Sequence, residues 1–211
     1  GYTKLGFSGG GGGNNPACCR YGYGFVQGAD AAAKELNEKV EMNYSWQYGA
    51  NFNASPELQT MAAGWYQTGT EVIFACGGSM FASISAAAAA EEGKVVGVDV
   101  DQSANIDTYG EGMCVTSAMK GLGAAVKNGL DTVNAGDWST IAGTNGNFGL
   151  EEGDYVGLPT DEASWNFSTF TMDEYNTVLE KIRNGEIKVD NNSDDATKPT
   201  TSSNITVDYQ V

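Results

Sequence analysis

Along the first half of the chain, short unbroken apolar runs take turns with longer stretches in which apolar residues recur every three or four positions. Lys4-Leu5-Gly6-Phe7 begins as a strand and runs into Ser8 and five glycines, residues 9–13, which read as a mobile loop at the mouth of a site. From Arg20 onward, Phe25, Ala29, Ala32, Ala33 and Leu36 fall on one helical face. Residues 40–46 alternate as a strand. Ser55-Pro56 reads as an N-cap followed by a first-turn proline, ahead of a stripe at Leu58, Met61, Ala62 and Trp65. Residues 71–76 and 94–99 are continuous apolar strands, separated by an alanine-rich helix over 79–92 with Met80, Ile84, Ala87 and Ala88 on one side. A strand that is apolar on both sides must be covered on both faces, which is the habit of parallel sheets interleaved with helices. The alternation therefore predicts an α/β fold, a parallel sheet with helices on both faces.

After residue 100 the rhythm loosens. Residues 113–119 read as a strand and Leu122, Val126, Leu130 and Val133 as a helical stripe, while the glycine-rich stretch 139–159 reads as a hairpin. Thr171 and Glu174 have capping-box spacing before a helix with the stripe Tyr175, Val178, Leu179 and Ile182. Residues 190–204 are polar and aperiodic and read as a linker or disordered segment, and 205–211 as a closing strand.

Charge and composition narrow the chemistry. Eleven Lys+Arg against 27 Asp+Glu give a net charge of −16, so a nucleic acid would meet repulsion. The chain has no histidine, which removes the commonest general base and metal-binding imidazole. No acid, base and nucleophile converge in sequence, so we expect no enzyme activity, metal site or cofactor. No apolar run approaches the roughly 20 residues of a membrane span, and the reading is of a soluble segment. Cys76 and Cys114 lie in apolar runs and read as buried free thiols. The vicinal Cys18-Cys19 pair does not read as a structural staple, because it could close only a tiny strained ring.

Candidate binding residues cluster at strand ends, where ligands sit in open α/β sheets. Asp99 closes an apolar strand, and its carboxylate can accept several hydrogen bonds at once, which suits vicinal sugar hydroxyls. Gly77, Gly78 and Ser79 bring backbone donors close to a ligand at a helix start. Trp46, with Tyr48 and Phe52 nearby, offers a flat face for stacking, and Lys120 can donate into the same cleft.

The runs Glu71-Val72-Ile73-Phe74-Ala75-Cys76-Gly77-Gly78, Val96-Gly97-Val98-Asp99-Val100-Asp101-Gln102 and Val115-Thr116-Ser117-Ala118-Met119-Lys120, in that order, resemble the basic membrane protein family of lipoproteins. Gly153-Asp154-Tyr155-Val156-Gly157-Leu158-Pro159 and Asn184-Gly185-Glu186-Ile187-Lys188-Val189 fit its C-terminal end, so the resemblance runs over about residues 3–189. It implies an extracytoplasmic solute-binding component of an ABC importer with a type I periplasmic-binding fold, anchored through a lipidated N-terminus outside this chain. Such a protein closes two lobes over a nucleoside, with a purine the leading candidate, and delivers it to a membrane permease. An extracellular sensor of the same fold, binding a nucleoside or sugar, is the alternative. By the resemblance Asp99 binds ribose hydroxyls, Lys120 reaches the ligand from the hinge-crossing strand, and Gly77 and Gly78 line the cleft. The organisation expected is a ligand-binding lobe over 1–118, a segment at 119–160 crossing to a largely missing N-terminal lobe, a return helix within 161–189, a linker at 190–204 and a terminal strand at 205–211. The stripe from Leu122 to Val133 would then lack its sheet, and the isolated fragment is expected to self-associate.

Overall fold

The computed structural model describes residues 1–210 and contains one seven-stranded sheet. Its strands are β1 (Lys4–Gly9), β2 (Val40–Ser45), β3 (Val72–Cys76), β4 (Lys94–Asp99), β5 (Cys114–Lys120), β6 (Val156–Gly157) and β7 (Ile205–Gln210). They lie in the order β6-β5-β4-β3-β1-β2-β7, and every pairing is parallel except the antiparallel contact of β5 with β6. The connecting helices are α1 (Pro16–Leu36), α2 (Pro56–Gln67), α3 (Met80–Glu91), α4 (Ser103–Ile106), α5 (Leu122–Asn134) and α6 (Met172–Arg183).

The pleat of β3 shows why its run has no polar gaps. Ile73 and Ala75 face a core with Leu58, Ala62, Trp65 and Ile84 from α2 and α3, while Phe74 and Cys76 face a second core with Phe7, Val26, Ala33 and Met42. One strand thus supplies both layers. The Ser55 hydroxyl accepts from the Leu58 amide and Pro56 opens α2, as the sequence pattern requires.

Several boundaries differ from expectation. α1 starts at Pro16 rather than Arg20, because Asn15 caps it by accepting from the amides of Ala17 and Cys18. Its inner face is accordingly Cys18, Cys19, Gly22, Tyr23, Val26, Asp30 and Ala33, and Leu36 is exposed. The five glycines are not a free loop. Gly9 completes β1, Gly10 N–H donates to the Cys76 carbonyl at 2.9 Å, Gly11 N–H donates to that of Gly49 at 3.0 Å, and residues Gly11–Gly13 form a 3₁₀ turn. A side chain at Gly9 would overlap the Trp46 ring, so close approach requires glycine there.

The expected hairpin over 139–159 is absent: this stretch holds a 3₁₀ turn at Trp138–Thr140 and only the two-residue β6. Its weak alternation is too glycine-rich to hold a ladder. In α6 the Thr171 and Glu174 capping box forms, yet of the expected stripe only Tyr175 is buried. Residues 190–204 contain no helix or strand but lie along α1: the Asp190 amide donates to Gln27 Oε1 at 3.0 Å, the Ser202 amide to Asp30 Oδ1 at 3.0 Å, and Asn204 Nδ2 to the Glu38 carbonyl at 2.9 Å. β7 then pairs along the whole of β2. Val211, the last residue of the expected closing strand, lies outside the described residues.

Candidate functional site

The chain turns in opposite directions from β1: β2 lies on one side and β3 on the other, which makes the β1/β3 boundary the switch point of the sheet. Crevices at the carboxyl ends of strands beside such a point are where open α/β sheets take ligands. A cleft of about 110 Å³ opens there, lined by Asn15, Cys18 and Tyr21 of the α1 region, Phe52 of the β2–α2 loop, Cys76, Gly77 and Gly78 after β3, Asp99, and Lys120. A larger hollow of about 230 Å³ lies elsewhere, lined by Lys4, Glu41, Asn43, Thr70 and Asp208, and includes none of the residues singled out from sequence.

Asp99 is held in an unusual backbone state. Its φ is +72°, and the Val100 amide donates back to the Val98 carbonyl at 2.8 Å, which makes a γ-turn with a positive central angle. A non-glycine residue in this region carries about 1 to 2 kcal/mol of strain. What holds it is Gln102, buried behind the turn: its Oε1 accepts from the Val98 amide at 2.9 Å, its own amide donates to Ser117 Oγ at 3.1 Å, and its Nε2 donates to the Gly78 carbonyl at 3.3 Å. One residue thereby fixes β4, β5 and the Gly77-Gly78 turn relative to one another. Gly97 leaves the space for it, since a Cβ there would stand 2.8 Å from Gln102 Oε1.

The Asp99 carboxylate meets the Lys120 ammonium at 2.5 Å through Oδ1, and Lys120 Nζ also stands 5.8 Å from the centre of the Tyr21 ring. Both partners of the ion pair are more than a third exposed, so the pair contributes little to stability, on the order of 0 to 1 kcal/mol. It retains carboxylate acceptor sites and ammonium donors that the pairing does not use. Burial, with the charges of Cys76 and Asp99, pushes the Tyr21 phenol well above its ordinary range, so it is a neutral hydroxyl. That hydroxyl is buried without a hydrogen-bond partner in the protein.

Of the residues singled out in sequence, Asp99, Lys120, Gly77 and Gly78 come together in this cleft. Ser79 does not line it: its amide donates to the Phe52 carbonyl at 2.9 Å, clamping the Phe52 loop against the start of α3. Trp46 does not line it either, because its ring packs edge-on against Phe7 and Tyr44 at 5.4 and 5.6 Å. Asn15, Cys18, Tyr21 and Gln102 carry no role in the sequence reading. The available signal for the first three was Asn15-Pro16, a cap followed by a first-turn proline, which moves the start of α1 back to the cleft.

The polar and aromatic cleft therefore lies at the switch point, the position at which open α/β sheets take small ligands. Residues 2–193 match the model of the Bmp family, described as ABC transporter substrate-binding protein PnrA-like, and the chain belongs to that family. It is 30% identical over 200 residues to a CD4+ T-cell-stimulating antigen of Listeria monocytogenes, a match covering 89% of this chain and 52% of the relative. It is 28% identical over 175 residues to the ABC transporter nucleoside-binding protein BmpA of Lactococcus lactis, covering 77% of this chain and 47% of that protein. A solute-binding protein of an ABC transporter system from Aeropyrum pernix K1 superposes with a TM-score of 0.68 at 20% identity, covering 92% of this chain and 59% of that one. Another from Conexibacter woesei gives 0.57 at 19%, covering 90% and 58%. The chain thus spans about half the length of these relatives. No helix among the described residues is long and apolar enough to cross a membrane.

Proposed function

We propose that the cleft is one wall of a nucleoside site, and that this chain serves as one lobe of an extracytoplasmic, lipid-anchored substrate-binding protein that delivers its ligand to an ABC permease. The observation that carries this reading is Asp99, held in a strained turn at the switch point beside Lys120. Strain of this kind persists where the surroundings over-determine it, and it concentrates at ligand sites. A carboxylate and an ammonium side by side can accept from and donate to the vicinal hydroxyls of a ribose. Tyr21 and Phe52 border the same cleft and supply flat faces for a purine, and the unpartnered Tyr21 hydroxyl gives it a donor. Gly77 and Gly78 line the cleft and, lacking side chains, let Phe52 close over the turn, while Ser79 and Trp46 act through the walls they brace. The BmpA of Lactococcus lactis, named as nucleoside-binding, supports the ligand class.

Size explains why a second lobe belongs in the proposal. Pockets for small organic ligands run from about 300 Å³ upward, and this cleft measures about 110 Å³. Residues 119–160 are the segment we assign to the crossing between lobes, with α6 in the return.

Calorimetry of the full-length protein with adenosine, guanosine and cytidine tests the reading. We expect the purine nucleosides to bind more tightly, and Asp99→Ala to weaken that binding by more than about 2 kcal/mol, because a charged acceptor is lost from hydroxyls in a closed site. Affinity unchanged in Asp99→Ala would sink the assignment.

A further inference from the structure

Two of the four cysteines do something the binding proposal does not use. Cys18, in the first turn of α1, and Cys76, the last residue of β3, both line the cleft and belong to the same apolar core. The Cys18 thiol donates to the Cys76 carbonyl oxygen at 3.7 Å, which puts the two cysteines in direct contact at the cleft. Cys19, next in sequence, turns away toward the Gly13 carbonyl at 3.3 Å. Cys114 sits in the opposite core, with its sulfur 3.3 Å from the Thr116 carbonyl. All four are free thiols.

We infer that Cys18 and Cys76 are an oxidisable dithiol, converted by a hydroperoxide into a disulfide that ties the first turn of α1 to the end of β3 along the cleft.

The local electrostatics match this division of labour. The neighbouring Cys76 side chain and the Lys120 ammonium favour the Cys18 thiolate and hold that thiol below its ordinary range against the opposing effect of burial. Burial raises Cys76 and Cys19, and lifts Cys114 to about 11. The thiolate is the reacting form, so Cys18 attacks first. Its sulfur takes one peroxide oxygen as the O–O bond breaks, giving a sulfenic acid, and the other oxygen leaves as water with the thiol proton. The Cys76 sulfur then displaces the sulfenic hydroxyl, which departs as a second water with the Cys76 proton, and the S–S bond forms. Two thiols and one hydrogen peroxide yield one disulfide and two waters.

This inference rests on the thiols alone and is independent of the nucleoside reading, so either can fail without the other. The test is treatment of the intact protein with hydrogen peroxide, unfolding in N-ethylmaleimide, and intact-mass and peptide analysis. The expected result is loss of two of the four alkylatable thiols, a mass lower by two hydrogens before alkylation, and a cross-link joining the peptides of Cys18 and Cys76. C19S and C114S retain that cross-link, while C18S and C76S form no intramolecular disulfide. Four alkylatable thiols after treatment, sulfinic acid without a bridge, or a cross-link from any other pair would overturn it. Because the cross-link is mapped in the unsubstituted protein, the outcome does not depend on any variant folding.

Discussion

Asp30 and Asp99 each meet a lysine, yet they do opposite work. The Asp99–Lys120 pair stands half in solvent at the cleft, where its unused donors and acceptors remain available. Asp30 is 4% exposed on α1; it meets Lys34 at 2.7 Å and accepts from both the amide and the hydroxyl of Ser202. Burial alone would raise its pKa, but the hydrogen bonds from Lys34 and Ser202 outweigh it and hold the carboxyl below the usual range. The folded state therefore binds this proton less readily than the unfolded chain does. The resulting stability is fully present above the unfolded value of about 4 and is lost as pH falls through the lower folded value. Asp30→Ala should cost about 2 kcal/mol at neutral pH and flatten the stability curve below about pH 4. Urea unfolding from pH 3 to 7 measures both, and a variant whose curve parallels that of the parent would refute the account. Asp99 was legible in the sequence because an apolar strand ends on it. Asp30 was not: Lys34 one turn on reads as an ordinary i,i+4 surface pair, and the partner that buries the carboxylate, Ser202, lies 172 positions away.

Among the elements, those with a periodic face and a local cap were legible: α2 from Ser55-Pro56, α6 from its capping box, β3 and β4 from their unbroken apolar runs. α1 was misplaced by one turn because a run of alanines gives a helix no preferred face, and the buried side is set by Phe7, Tyr44 and Phe74 from other strands. α5 is the reverse case, with a clear stripe that stays exposed among the described residues. Leu122, Val126, Leu130 and Val133 are 53, 64, 58 and 49% exposed, and no residue of the helix is buried. Contiguous apolar patches above a few hundred Å² find partners in solution. The isolated chain should therefore associate with itself through α5, and the pair Val126→Glu with Leu130→Glu should return it to a monomer without lowering its melting temperature. Light scattering at micromolar concentration decides this; a parent chain that is already monomeric would show that the stripe stays open.

For the molecule as a whole, the feature least visible in the sequence is that β7 joins the sheet beside β2, one strand away from β1. β1 opens the chain near the centre of the sheet, and β7 closes it on the outer edge of β2, after residues 190–204 have run along α1. Composition alone marked that segment as a linker, because polar residues satisfied by hydrogen bonds to a distant helix look the same in sequence as polar residues satisfied by water. Its hydrogen bonds deliver β7 in register: the Val40 amide donates to the Asn204 carbonyl at 2.8 Å, Ile205 is buried against the α1 core, and the Tyr209 ring lies 5.1 Å from that of Tyr44. Removing residues 190–211 would strip the ladder from β2 and uncover Val40, Met42 and Tyr44. Burial of Ile205 alone contributes about 1.5 to 3 kcal/mol, and the Tyr209–Tyr44 pair adds about 0.5 to 1.5 kcal/mol. A loss of about 3 kcal/mol lowers the melting temperature of a domain this size by about 6 to 12 °C. The bared β2 edge should also template intermolecular pairing, so aggregation should accompany unfolding. Calorimetry of the truncated chain checks both effects. A melting temperature within about 2 °C of the parent, a shift worth less than about 1 kcal/mol in a domain this size, would mean that β7 adds only a decorative strand and that the sheet is already complete at β2.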